Sequence, residues 1–147
     1  MPTLIDGDTV LTQTMAIIEY LEETCPEPPL LPSDHGGRAW VRAIAQVMVS
    51  DTHPLSTARV IEYLDGVLDL PKEKLDSWLR HWNERGFAAV EKMLDDDSMP
   101  GTYCHGDTPT VADNALVSQV FVGKKFGADL SSTPNVTRVN SRPGGAF

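Results

Sequence analysis

The stretch that decides the fold is SDTHPLSTAR, residues 50–59, because it interrupts a long helical pattern with polar side chains and a proline. Before it, polar residues recur only at every fourth position, namely Arg38, Arg42, Gln46 and Ser50. A helix with so narrow a polar stripe is buried on most sides, either within a bundle or in a subunit interface. Pro54 removes a helical hydrogen bond and predicts a kink at this point.

The chain beyond the kink predicts three more helices. Apolar side chains return at helical spacing, Pro71 suits the first turn of the next helix, and residues 110–122 carry a third apolar pattern. Thr110 and Asp113 have the spacing of a capping box, with Asp in place of the usual Glu or Gln. Gly86 lies in the second of these helices, where we expect it to let another backbone come close.

The chain before the kink predicts a smaller unit. Apolar runs on either side of Asp6 and Gly7 predict a hairpin over residues 2–12, and a helical pattern follows over residues 13–24. Four prolines within residues 26–32 then exclude helix and indicate an extended linker. The organisation is therefore two strands and a helix, a link, and an all-helical unit.

Composition narrows the classes of partner. The 147 residues include 12 Lys and Arg against 21 Asp and Glu, a net charge of −9 that disfavours nucleic acid. No apolar run approaches the roughly 20 residues of a membrane helix, so no membrane association is expected. The N-terminal residues lack the pattern of a secretory signal, and Cys25 and Cys104 match no metal-ligand spacing, which favours the reducing cytoplasm.

The kink holds the densest polar chemistry of the chain. His53 and Thr57 are four residues apart and share a helix face, and Arg59 is a permanent cation suited to a carboxylate. The alternative is a hydrogen-bonded cluster that only stabilises the kink. Asp51 and His53 could bind a metal, but no third ligand is identifiable, and we predict no metal site.

Three further features each have a simple structural interpretation, and two of them also have a functional one. Gln13 and Thr14 begin a helix directly after a strand, where free N–H groups can bind a carboxylate or Thr14 can simply cap the helix. Lys125 follows another lysine near a helix C-terminus, which is usually only a favourable dipole interaction. Cys104 is either a reactive thiol or a small buried residue.

These motifs, taken in order, resemble the cytosolic glutathione transferases. The order is a PTL strand, a DG turn, QTMAIIEYLEE, PPLLP, an all-helical unit, and GDTPTVAD at residues 106–113. Residues 51–64 and 127–134 resemble the zeta class, which includes maleylacetoacetate isomerase and maleylpyruvate isomerase. The resemblance covers about residues 1–140.

The resemblance implies a mainly α fold. It places the β-β-α half of a thioredoxin-like glutathione-binding domain at residues 1–25, a linker at 26–33, and the helical C-terminal domain at 34–140. Residues 141–147 are then an aberrant tail, rich in Gly and Pro that oppose helix.

Glutathione is the cofactor that the resemblance implies. The residues it assigns to glutathione are Met1, Pro2, Gln13, Thr14, His53, Thr57, Ala58 and Arg59. Pro2 matches the family's cis-proline, Met1 the residue whose backbone pairs with glutathione, and Gln13 with Thr14 the pair that holds the γ-glutamyl carboxylate. Arg59 and Lys125 match positions that face the carboxylate of the substrate. Thr110 and Asp113 match the family's capping box, which serves folding.

The implied reaction is cis–trans isomerisation of maleylacetoacetate or maleylpyruvate, a step of aromatic compound breakdown, beside glutathione transferase activity. Glutathione thiolate adds to the double bond of the dicarboxylate, the resulting single bond rotates, and elimination gives the fumaryl isomer. The resemblance also implies a cytoplasmic homodimer, formed through the helix between Arg38 and Ser50.

The sequence departs from the family at its N-terminal end. The Ser-Ser-Cys motif that stabilises the thiolate in the family precedes the position of Pro2, so no catalytic residue is expected in this chain. The departure also predicts weak or absent glutathione binding. The alternative function is therefore a catalytically inactive fragment, or an interaction module that dimerises through its first long helix.

Overall fold

The computed structural model describes residues 2–97 and 101–141, and these form a two-stranded sheet followed by a mainly helical assembly. The strands are Thr3–Asp6 (β1) and Thr9–Thr12 (β2). The helices are Thr14–Thr24 (α1), His35–Gln46 (α2), Ala58–Gly66 (α3), Lys72–Asp95 (α4), Val111–Lys125 (α5) and Pro134–Asn140 (α6). The predicted mainly α architecture, with a β-β-α unit in front, is confirmed. Residues 142–147, most of the proposed tail, lie outside the described residues.

The predicted hairpin is present. β1 and β2 pair antiparallel, with Asp6 opposite Thr9, and Gly7 takes a positive φ of 56° in the two-residue turn between them. Only glycine adopts that conformation without steric cost, which explains its place in the turn. The hydroxyl of Tyr20 on α1 donates to the Asp6 carboxylate at 2.8 Å and ties the hairpin to the helix.

The hydrophobic core lies between α2, α4, α5 and α6. Its largest fully buried side chains are Phe87, Ile44, Met48, Leu116, Val41, Val90, Val111 and Val120. α2 buries one face in this core while Ala39, Ala43 and Gln46 stay exposed, and its polar stripe contains two arginines that contact α1. Arg42 binds Glu19 of α1 at 2.7 Å and Arg38 lies 3.5 Å from Glu22, so these side chains join α2 to the N-terminal unit.

The predicted kink is a change of helix type. After α2 the chain forms a π-helical turn, Val47–Thr52, and then a 3₁₀ turn, His53–Ser56; we call residues 47–56 the kink segment. The hydroxyl of Thr52 donates to the Val47 carbonyl at 2.8 Å, and the indole N–H of Trp78 donates to the Leu55 carbonyl at 2.9 Å. Each of these contacts gives a backbone carbonyl of the kink segment a side-chain donor.

Gly86 permits the expected close approach, although the group that approaches it is a side chain. A Cβ atom at residue 86 would overlap the hydroxyl oxygen of Thr52. α4 therefore packs directly on the kink segment, and this contact fixes the position of the residue that follows Thr52.

The link between the two units is anchored on both sides. The backbone N–H of Leu30 donates to the buried carboxylate of Glu22 on α1 at 2.8 Å, and the Leu30 carbonyl accepts from Val111 at the start of α5. Leu31 is buried in the core. Within the residues described, no helix is long and apolar enough to cross a membrane.

Candidate functional site

Seven of the eight residues predicted to bind glutathione lie around one open cleft of about 760 Å³. Three elements supply them: Pro2 precedes β1, Gln13 and Thr14 join β2 to α1, and the others follow one another through the kink into α3. They are Pro2, Gln13, Thr14, His53, Thr57, Ala58 and Arg59. Met1 lies outside the described residues. The fold thus brings together residues about 45 positions apart in the sequence.

The N-terminus of α1 forms one wall of the cleft. Gln13 has a φ of 75°, a left-handed conformation that is rare for residues other than glycine, and its carbonyl accepts the first helical hydrogen bond from Ile17 at 3.0 Å. Thr14 and Met15 follow it along the cleft, and the first turn of α1 contains no acidic side chain. The positive end of the helix dipole is therefore available to an anion. Thr14 belongs to the first turn and does not cap it.

The start of α3 forms the opposite wall. Thr57 is the extended residue before the helix, and its hydroxyl donates to the Pro54 carbonyl at 3.2 Å. Arg59 is exposed in the first turn. Among the residues that the structure describes, no carboxylate lies within ion-pair distance of its guanidinium, which leaves that group available to a ligand.

His53 lies at the end of a buried chain of side-chain amides. Its Nδ1 atom is 3.0 Å from Oε1 of Gln119 on α5, and Nε2 of Gln119 donates to Oδ1 of Asn83 on α4 at 2.7 Å. Nδ2 of Asn83 then donates to the backbone carbonyl of Leu79 at 2.7 Å. Asn83 is fully buried and Gln119 is 3% exposed.

This buried connection is absent from the sequence-based prediction. The only signal for it is the presence of Asn83 and Gln119 on otherwise apolar helix faces. A buried amide needs hydrogen-bond partners, so both residues could have been marked as members of a polar cluster. Their partners could not have been named, because His53 and Gln119 are 66 residues apart.

A narrower cavity of about 340 Å³ adjoins the cleft and shares Thr14, Val49 and His53 with it. Its remaining wall is formed by α1, the kink segment and α5. The residues that complete it are Ile18, Met48, Asn114, Ala115, Ser118 and Gln119. The mixture of apolar walls and a few polar groups is typical of a small-molecule pocket.

Lys125 is not brought to this site. It is exposed in the last turn of α5 and belongs to the lining of neither the cleft nor the adjoining cavity. Its contact with a substrate carboxylate stays a prediction. In the parts of the chain described, residues 2–97 and 101–141, no group of three His, Cys, Asp or Glu side chains could hold a metal ion.

A second cleft, of about 700 Å³, lies at the other end of α2 and contains none of the predicted site residues. Its two ionisable groups nearest α2 have structural partners: Asp34 accepts from the Gly37 N–H at 2.7 Å, and His105 pairs with Asp97 at 3.1 Å. The hydrogen bond from Gly37 lowers the pKa of Asp34, as expected for a helix N-cap.

Cys104 is buried, so the packing interpretation of this thiol is correct. Removal from water is the main cause that raises its pKa far above the ordinary value, and the nearby Asp113 carboxylate adds to it. Cys25 is exposed, and both cysteines are free.

Comparison with known proteins identifies relatives along almost the whole chain. A maleylpyruvate isomerase from Ralstonia is 41% identical over 144 residues, which is 98% of this chain and 68% of the relative. The holo structure of a maleylpyruvate isomerase, described as a bacterial glutathione transferase of the zeta class, superimposes with a TM-score of 0.92 at 41% identity. The superposition covers 96% of this chain and 66% of that one. No family model matches the chain.

A third relative carries ligands. The maleylacetoacetate isomerase of Anaeromyxobacter dehalogenans, solved with dicarboxyethyl glutathione and citrate in its active site, superimposes with a TM-score of 0.86 at 41% identity. That superposition covers 95% of this chain and 65% of the other. The present chain therefore spans about two thirds of the length of these proteins.

Proposed function

Because the chain belongs to the zeta-class glutathione transferase family that contains the maleylacetoacetate and maleylpyruvate isomerases, we propose that it serves the glutathione-dependent cis–trans isomerisation of a maleyl dicarboxylate. The observation that carries this proposal is the electrostatic character of the cleft. The chain has 21 Asp and Glu residues, yet none is among the twelve residues that line the cleft or the nine that line the adjoining cavity. An acidic protein thus presents a site free of carboxylates, with Arg59 in its wall.

Glutathione fits the α1 side of this cleft. Its γ-glutamyl group ends in a carboxylate, which the N–H groups and the dipole of α1 would hold beside Gln13 and Thr14. Bound glutathione would supply the thiol whose reversible addition to the conjugated double bond permits rotation. The ligand of the Anaeromyxobacter relative joins glutathione to a dicarboxylic group, as the product of such an addition would.

The dicarboxylate fits the opposite side. A maleyl substrate carries two negative charges, and Arg59 offsets one of them where the cleft offers no competing carboxylate. The apolar walls of the adjoining cavity, including Ile18 and Met48, exclude water and strengthen this attraction. The chain's own contribution is therefore to bind and orient two anionic molecules.

Calorimetric titration with glutathione tests the proposal. We expect weak binding of glutathione to the parent chain and about tenfold weaker binding to Thr14→Pro, because this change removes one of the N–H groups at the start of α1. The matched control is Thr9→Ala in β2, outside the cleft lining, which should bind like the parent chain. Equal affinity of the parent chain and Thr14→Pro would contradict the proposed site.

Turnover of maleylacetoacetate separates the isomerase from the alternative function, an inactive interaction module. An isomerase raises the rate of fumaryl product formation above that in buffer, and the rate depends on glutathione concentration. A module that only docks to a partner binds no glutathione and leaves the rate unchanged.

We also propose a cytoplasmic homodimer that forms through α2. The side of this helix that points away from the core is exposed at Ala39 and Ala43, two small side chains that allow close helix packing. The two free cysteines are consistent with a reducing compartment. Sedimentation equilibrium tests the dimer: Ala43→Arg should shift the mass from two chains to one, and Ala88→Arg on the exposed side of α4 should not.

A further inference from the structure

The chain of buried amides fixes the direction of each of its hydrogen bonds. A backbone carbonyl can only accept, so the atom of Asn83 that lies 2.7 Å from the Leu79 oxygen is its amide nitrogen. Oδ1 of Asn83 therefore faces α5, where it accepts from Nε2 of Gln119. The usual ambiguity of amide orientation is removed by this anchor on the α4 backbone.

A second contact gives the same orientation of Gln119. The hydroxyl of Ser56 donates to the His53 carbonyl at 3.2 Å, so its oxygen is left as an acceptor, and it lies 3.5 Å from Nε2 of Gln119. Both acceptors near Gln119 thus lie on its nitrogen side. Its Oε1 atom is left facing the imidazole of His53 at 3.0 Å.

We propose that Gln119 is a positioning residue that holds neutral His53 in the tautomer with the proton on Nδ1. An amide oxygen cannot donate, so the 3.0 Å contact requires a proton on Nδ1. The other ring nitrogen, Nε2, then carries a lone pair. Because His53 lines both the cleft and the adjoining cavity, Nε2 is the nitrogen available to a ligand, as a hydrogen-bond acceptor.

The inference refines the proposed function. Asn83 is fully buried and acts through Gln119, while Gln119 acts on the ring of His53 and also borders the adjoining cavity. If the cleft binds glutathione, the fixed tautomer gives the site one acceptor for an N–H or S–H group of that ligand. Protonation of His53 would keep the Nδ1 bond and turn Nε2 into a donor, so the ring orientation is the same in both states.

The tautomer can be measured on the unmodified chain, without ligand. The protein is labelled with 15N at its histidines, and two-bond proton–nitrogen correlations are recorded at a pH where the rings are neutral. The His53 signals are assigned as those missing from the His53→Gln spectrum. We expect a protonated Nδ1 and a bare Nε2 for His53; a proton on Nε2 would overturn the proposal. The exposed rings of His35 and His81 are internal references.

Two variants separate positioning from simple packing. Gln119→Met keeps the length of the side chain without its acceptor, and we expect His53 to move to the Nε2-protonated form. Gln119→Glu keeps an acceptor and should retain the Nδ1 proton. If Gln119→Met does not fold, the parent chain and Gln119→Glu still decide the matter, since an Nδ1 without a proton in either contradicts the proposal.

Glutathione titrations of the same samples distinguish the proposed glutathione-dependent function from the positioning role of Gln119. We expect about tenfold weaker binding in Gln119→Met and a smaller loss in Gln119→Glu. If the parent chain keeps the Nδ1 proton but binds no glutathione, the proposed function fails and the tautomer stands. If it binds glutathione with the proton on Nε2, the positioning role fails and the function stands.

Discussion

Two buried polar clusters in this protein are built from similar groups and serve different purposes. In the closed cluster, the Asp113 carboxylate accepts from the Thr110 N–H at 2.7 Å, the Thr110 hydroxyl at 2.8 Å and the Cys104 N–H at 2.8 Å. In the open cluster, the bonds from Leu79 through Asn83 and Gln119 end at His53.

The difference lies at the last group of each cluster. Every partner of Asp113 is a buried protein group; Thr110 borders the second cleft, which contains none of the predicted site residues, and the capping box does not reach the cleft beside Arg59. The open cluster ends on a ring that lines two cavities, and in the proposed tautomer its last nitrogen is an acceptor available to a ligand. A buried polar cluster that ends within the protein stabilises the fold, whereas one that ends at a cavity also prepares a binding group.

The largest effect should follow from breaking the closed cluster. Asp113→Ala leaves the buried N–H groups of Thr110 and Cys104 without an acceptor, and we expect a loss of about 3 kcal/mol in the free energy of unfolding. Urea denaturation measures it. Asp107→Ala, in the same loop but exposed, is the control and should change stability much less. A decrease of less than about 1 kcal/mol in the free energy of unfolding of Asp113→Ala would contradict a stabilising role for the closed cluster.

The second effect concerns the support behind the open cluster. Gly86→Ala places a methyl group against the buried side chain of Thr52, next to His53, and should cost about 2 kcal/mol. Gly66→Ala is the matched control, because a Cβ atom at that helical position meets nothing within 4 Å. Combining Gly86→Ala with Thr52→Ala should recover part of the loss. Equal unfolding midpoints for Gly86→Ala and Gly66→Ala would show that the contact is not tight.

The sequence predicts conformations set by neighbouring residues better than it predicts contacts between residues far apart in the chain. The hairpin turn at Gly7, the kink at Pro54 and the capping box at Thr110 each depend on residues within about four positions, and all three were predicted correctly. The N-terminal cap of α6 was not, since the Glu91 carboxylate that accepts from Asn135 and Val136 lies 44 and 45 residues away. Short-range patterns predict conformation, but partners across the fold need the structure.

The candidate site divides in the same way. Gln13, Thr14 and His53 were predicted as site residues, and the structure places them around one cleft. Gln119 and Asn83 were missed because a single buried amide on an apolar face does not reveal its partner. The ion-pair partners of Arg38 and Arg42 on α2 could not be named from the sequence, because they belong to α1, in a different unit.

A third effect should be confined to binding. Arg59→Gln removes the cation from the cleft wall and should weaken binding of maleate, a simple cis-dicarboxylate, about tenfold, which corresponds to about 1.4 kcal/mol. The unfolding free energy should stay unchanged, because Arg59 is exposed and has no ion-pair partner among the residues described. Calorimetry measures the affinity, with Lys124→Gln as the control for loss of one positive charge. Lys125→Gln should weaken maleate binding less than Arg59→Gln. The reverse order would indicate that the dicarboxylate binds at Lys125 and would contradict its placement beside Arg59.

The smallest effect concerns the ion pair between Arg42 and Glu19, which joins the two units of the chain. The hydrogen bond from Arg42 lowers the pKa of Glu19, and the half-buried pair should contribute about 0.5 kcal/mol by double-mutant cycle, after screening by solvent. Because the native pKa lies below the unfolded value, this contribution is present above the unfolded pKa and is lost as the pH falls through the native pKa. A coupling energy that does not decrease on acidification would contradict the assignment.

The central claim is that the open cluster faces the ligand and the closed cluster does not. The most direct test maps the backbone amide shifts of the 15N-labelled chain during titration with glutathione. The account predicts saturable shifts, whatever the affinity, at Thr14, His53 and residues 57–59, with the amides of Cys104 and Thr110 unmoved. Shifts that centre on Cys104 and Thr110, or no saturable shift around the cleft, would contradict it.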